Sequence, residues 1–134
     1  MDLLLDTHVF IWWNVDHTRL GEGVRAVVAD PENRIVVSAA SVWEISIKRM
    51  IGKLAFHHDT LNAITGGGFE ALVITPAHAD AAGSLPLHHN DPFDRLLIAQ
   101  ARHEGLVLVT QDLILCITTN HSRMFDTVVT WRSG

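Results

Sequence analysis

The chain has 134 residues, 48% of them hydrophobic and 19% charged, which suits one domain with a sizeable core and excludes a disordered segment. Fifteen acids against ten bases give a formal charge of −5, which taken alone argues against a general nucleic-acid binder. A single cysteine, Cys116, rules out an internal disulfide or a thiolate zinc site, and no apolar run reaches the ~20 residues that span a bilayer.

The first apolar run, Leu3 to Leu5, does not alternate with polar residues, so it reads as a strand buried on both faces. It is flanked by Asp2 and Asp6 rather than by the basic start of a secretory leader, so a cytoplasmic location is expected. Asp6 or Thr7 is placed to cap a short helix through Trp13, and residues 20–30 suit a second helix stopped by Pro31. Arg34 to Ser38 is a second apolar strand. Ser38 or Ser41 then caps a helix through Met50, with Val42, Trp43, Ile45, Ile47 and Met50 as its expected apolar stripe and Gly52 as its end. Leu54 to Thr65 reads as a weakly patterned helix, followed by a Gly66-Gly67-Gly68 loop.

Ala71 to Ile74 is a third strand. Thr75-Pro76 opens a helix to about Ser84, and Asp91-Pro92 opens another to Glu104, closed by Gly105. Leu106 to Thr110 is a fourth buried strand, Asp112 to Thr118 a short helix, and Val128 to Trp131 a last strand. Apolar strands alternating with helices imply one α/β domain over residues 1–134 built on a parallel sheet.

Ligands of such sheets bind beyond the carboxyl ends of the strands. Asp6 ends the first strand, and Asp112 lies two residues past the fourth. Each has a plainer reading: Asp6 as a helix cap, Glu44 as one half of an exposed i, i+4 pair with Lys48, and Asp94 as an anion at a helix start already capped by Asp91. As a set, Asp6, Glu44, Asp94 and Asp112 would converge on one edge, where like charges raise one another's pKa unless a cation intervenes. Hard oxygen ligands without cysteine point to Mg²⁺ or Mn²⁺, ions that clamp a phosphodiester and activate water.

The segments LLLDTH, SAASVWEISIK, GKL, HHNDPFDRLLIAQA and LVLVTQD together resemble the blocks of PIN-domain ribonucleases, specifically the VapC-like toxins of type II toxin–antitoxin modules. The resemblance covers residues 2 to 112. It implies a three-layer α/β/α fold around a parallel sheet and Mg²⁺- or Mn²⁺-dependent endoribonuclease activity. Carried over by motif, Asp6, Glu44 and Asp94 are the metal-site acids and Asp112 the fourth, more variable one, with Thr7 and Thr110 in supporting positions. It also implies an RNA substrate and a cognate small antitoxin protein; a homodimer is expected, with Trp12 or Trp13 as contributors.

Setting aside the four proposed ligands, fifteen acids less four leaves eleven against ten bases, so the remaining surface is close to neutral. Lys48, Arg49 and Arg95 are candidates to hold phosphates, whereas Lys53 reads as ordinary surface. The nine histidines include no H-E-x-x-H helix; only His89 is placed at the cleft rim, and Cys116 is expected to be buried and inert. Competing readings are a catalytically inactive PIN-like RNA- or protein-binding module, an aspartate-nucleophile phosphatase and a receiver domain. The phosphatase would want a second acid where His8 stands, and the receiver an acidic pair at the first strand's end.

Overall fold

The computed structural model describes residues 1–86, 91–111, 113–119 and 126–132, the last two segments as backbone. These residues form one six-stranded sheet. Strands β1 (Asp2–Leu5), β2 (Arg34–Ser38), β3 (Glu70–Leu72) and β4 (Val107–Val109) are parallel; β5 (Leu113–Thr119) and β6 (Asp126–Arg132) follow as antiparallel neighbours. The order is β3-β2-β1-β4-β5-β6, so the chain winds outward from β1 in one direction and then restarts on its other side. Leu4 pairs in register with Val36 on one side and Leu108 on the other.

The lack of alternation in the strands has a direct cause. Leu3, Leu5, Ile35, Val37 and Val109 pack into one core with Phe10, Val24, Ile45 and Phe56. Leu4, Val36 and Leu108 face the opposite way, into a second core with Leu97 and Ala101. Each such side chain, buried on its own face, contributes ~1.5–3 kcal/mol. The first core is roofed by α1 (Thr7–Val15), α2 (Glu22–Ala29) and α4 (Thr60–Gly66), the second by α6 (Pro92–Glu104), against which α5 (Pro76–Gly83) packs. Helix α3 (Ala39–Met50) gives Ile45 to one core and Ala40 to the other. The result is the expected three-layer α/β/α arrangement.

Helix boundaries follow local chemistry. Ser38 accepts from the Ala40 N–H at 3.0 Å and starts α3, and Asp91 accepts from the Phe93 and Asp94 N–H groups and starts α6. In α5, Thr75 and His78 form a reciprocal capping box ahead of Pro76. Gly105, at φ 66°, takes the left-handed conformation that ends α6.

Three expectations are corrected. The helix expected over 54–65 begins only at Thr60, because Asp59 caps it through the Asn62 N–H; Phe56, upstream, instead plugs the first core. The short helix expected over 112–118 is strand β5, whose apolar and β-branched run is drawn into the sheet by pairing with β4 and β6. The apolar stripe of α3 is misplaced. Its buried residues are Ala40, Ser41, Glu44 and Ile45, whereas Trp43 is 57% and Met50 86% exposed. A single-turn 3₁₀ helix at His17–Arg19, capped by Asp16, was not foreseen.

A buried polar chain runs behind the sheet. Ser38 Oγ donates to Gln100 Oε1 at 2.5 Å, and Gln100 Nε2 lies 3.2 Å from the Val73 carbonyl and 3.3 Å from His78 Nδ1. His78 Nδ1 also accepts the Thr75 N–H at 3.0 Å. Receiving donors at Nδ1, the neutral ring carries its proton on Nε2 and donates it to Glu104 Oε1 at 2.8 Å.

Candidate functional site

The reversal of winding beside β1 creates the crevice where sheets of this kind hold ligands. Asp6 stands there, its N–H donating to the Val109 carbonyl of β4 at 2.9 Å. It occupies the capping position of α1, yet its carboxylate makes no capping hydrogen bond. The plainer explanation of Asp6 therefore loses its main support. Burial raises the Asp6 pKa, His8 and the neighbouring Thr7 and His8 amides lower it, and the charge of Glu44 raises it further.

Glu44 is not the exposed half of a surface pair. It is 4% exposed, on the inward face of α3, and Lys48 Nζ approaches its Oε2 to 2.6 Å. That hydrogen bond raises the Lys48 pKa, helped by the charges of Asp91 and Asp94. Asp94, at the start of α6, has its pKa pushed up to about 6 by burial and then by the charges of Asp91, Asp6 and Glu44. Asp6, Glu44 and Asp94 thus occupy one electrostatic neighbourhood, with Lys48 as a cation inside it. They do not close into a ready ligand cage: their carboxylate oxygens do not all lie within 4.8 Å of one another.

Thr7 ties two of the contributing elements together. Its buried hydroxyl lies 2.8 Å from Ser41 Oγ, fastening the start of α1 to the first turn of α3. Ser41 was read from sequence only as an alternative cap, and one helical turn separates it from Glu44. Thr110 is half-buried just past β4. Asp112 and His89 lie outside the described residues, as does the side chain of Cys116.

The expected phosphate-binding arginines have structural contacts. Arg49 donates to the His58 carbonyl at 3.3 Å and to Thr60 Oγ1, and lies 5.4 Å over the Phe56 ring. Arg95 donates to the carbonyls of Gly83, Leu85 and Pro86. Both arginines hold adjoining loops, so Lys48 is the expected cation that sits among the acids. Trp12 packs under Arg19 at 4.0 Å and Trp13 stacks on His17 at 5.0 Å, and both indoles pack against the first core.

One trio among the described residues does bring its ligating atoms within 4.8 Å: His78, His103 and Glu104. It sits at the far end of α6, ten residues and ~15 Å of helix from Asp94. Its donor set does not suit a metal. Binding through His78 Nε2 would move the proton to Nδ1 and set it against the Thr75 N–H.

Comparison with known proteins agrees with the architecture. Ribonuclease VapC22 of Mycobacterium tuberculosis (strain ATCC 25618 / H37Rv) is 30% identical over 118 residues, 82% of this chain and 86% of that protein. The crystal structure of VapBC2 from Rickettsia felis bound to a DNA fragment from their promoter contains a chain of the same fold. The TM-score is 0.57, over 82% of this chain and 87% of that one, at 16% identity. The PIN domain family matches residues 3–118, from the strand that delivers Asp6 through α3 and α6 into β5. With these three elements and their acids in the family's order, the chain belongs to the PIN domain family.

Proposed function

We propose that the protein is a metal-dependent endoribonuclease acting as the toxin of a toxin–antitoxin module. The observation that carries this reading is the grouping of Asp6, Glu44 and Asp94 at the carboxyl edge of the sheet, in a chain 30% identical to a ribonuclease. The raised pKa values of Asp6 and Asp94 mark a cluster short of positive charge. An all-carboxylate donor set fits Mg²⁺ or Mn²⁺, and Asp6, Glu44 and Asp94, with Asp112, would hold it.

When bound, such an ion lowers the pKa of water and steadies charge on a phosphodiester. The protein's own part is to fix the acids. Thr7 and Ser41 lock α1 to α3, the Asp91 cap sets the first turn of α6, and Lys48 keeps Glu44 turned inward. Water attacking in line leaves 5′-phosphate and 3′-hydroxyl ends, with no part for the RNA 2′-hydroxyl. A cognate small antitoxin would cover the cleft, with a basic side chain suited to the acids, and the toxin would form a homodimer. A cytoplasmic site of action accords with this, and no helix among the described residues is long and apolar enough to cross a membrane.

The test is cleavage of RNA carrying one 2′-deoxy sugar at the scissile position, by wild type and by Asp6→Asn, with Mg²⁺ or Mn²⁺ and with chelator. Wild type should cleave only with metal, and Asp6→Asn, still folded, should not cleave. Cyclic-phosphate products, or full activity in chelator, would overturn the mechanism.

A further inference from the structure

Two aromatic residues directly precede two of the acids: Trp43 stands before Glu44 on α3, and Phe93 before Asp94 on α6. Their rings meet edge to face, with centroids 5.4 Å apart and planes at 74°. The contact bridges the two helices that carry the acids. Glu44 is turned inward while Trp43 is 57% exposed, so the indole lies on the outer rim of the crevice.

An edge-to-face pair covers at most one face of the indole. Whichever ring offers its edge, at least one face of Trp43 is left uncovered by Phe93. The pair also holds the indole in one orientation, which reduces the ordering cost of stacking on it.

We propose that Trp43, steadied by Phe93, is the stacking platform for a nucleobase of single-stranded RNA whose backbone crosses the carboxylates. The proposal rests on the endoribonuclease reading. Single-stranded RNA is commonly recognised by splayed bases stacked on aromatic side chains, and every base offers a face to stack. Three observations favour a base over a protein side chain: the platform adjoins the acids on both helices, a ring contact fixes its orientation, and half-buried Lys48 lies five residues further along the same helix, positively charged for a neighbouring phosphate. Trp43 is thus assigned to substrate positioning and not to the chemistry.

The experiment compares wild type, Trp43→Ala and Trp43→Phe on a short single-stranded RNA that wild type cleaves with Mg²⁺ or Mn²⁺. A parallel substrate series removes the base at each nucleotide flanking the scissile phosphate. Trp43→Ala should raise KM by roughly 5- to 100-fold, the range seen for loss of one stacked base, with kcat little changed; Trp43→Phe should recover most of the loss. One abasic substitution should cost wild type a similar factor and cost Trp43→Ala little more. An unchanged KM in a folded Trp43→Ala protein would overturn the proposal. So would weakened self-association or antitoxin binding with RNA kinetics intact, which would make the rim a protein interface. If the alanine variant does not fold, the abasic series on wild type still decides, since indifference to every flanking base refutes stacking. Wild type that neither binds nor cleaves RNA would instead overturn the endoribonuclease reading itself.

Discussion

Removing one charge at the cleft should stabilise the metal-free protein while destroying its proposed activity. The Asp94 carboxyl titrates at about 6 in the folded chain, against ~3.9 in an unfolded one. A raised carboxyl pKa means that the folded state holds the proton more tightly. Its stabilising contribution is therefore complete below about pH 4 and is lost as pH rises through about 6. Two units of difference set a ceiling of ~3 kcal/mol. Asp94 is exposed, so solvent screening reduces the expected figure to ~1 kcal/mol. Asp94→Asn carries no titrating group and should escape this loss. Urea unfolding in chelator, followed from pH 4 to 7.5, should give wild-type and variant midpoints that coincide at the acid end. By pH 7 they should separate by about 0.3–1 M in favour of Asn. Adding Mg²⁺ should stabilise wild type and narrow or reverse the gap, by binding linkage. Parallel profiles for the two proteins would refute the reasoning, because Asp94 would then feel neither burial nor its acidic neighbours.

Ser41→Ala should cost about 1–2 kcal/mol by removing the partner of the buried Thr7 hydroxyl. Adding Thr7→Val to that variant should cost little more, and additive losses in thermal or urea unfolding would show that the two residues act separately. His78→Leu keeps the bulk but strands the Thr75 N–H and one Gln100 donor, so a loss of about 2 kcal/mol is expected; an unchanged melting temperature would show that the buried polar chain contributes nothing.

Much of this architecture is legible in short stretches. Asp91-Pro92 and Gly105 bracket α6 because a capping carboxylate, a proline without its N–H and a left-handed glycine act within a single turn. The strand Arg34–Ser38 is legible for the same reason: an unbroken apolar run has few other uses. Where partners are remote in sequence, the reading falters. Strand β5 depends on pairing with β4 and β6, which no window around Leu113 contains, and its apolar run also suits a short helix. On α3 the sequence offers two candidate faces. The tertiary fold buries Ser41 and Glu44, which look polar, and exposes Trp43 and Met50, which look apolar. The reason lies outside the helix, in the Thr7 hydroxyl and the Lys48 ammonium that satisfy the polar face. The acids of the candidate site were found by motif and by strand ends; that Glu44 would be buried was not.

The hydrogen-bonded thread from Ser38 through Gln100 to His78 acts as an index pin for α6. Apolar packing tolerates sliding, since one leucine contact resembles the next, but a carboxamide does not. If α6 slipped by one turn, ~5.4 Å, against the sheet, Gln100 would lose the Ser38 hydroxyl and the Val73 carbonyl together. Asp94 lies six residues up the same rigid rod, ~9 Å away. A buried amide on the sheet's second face thus gauges how far a carboxylate reaches into the cleft, and mutations that never touch the cleft should detune it through this gauge.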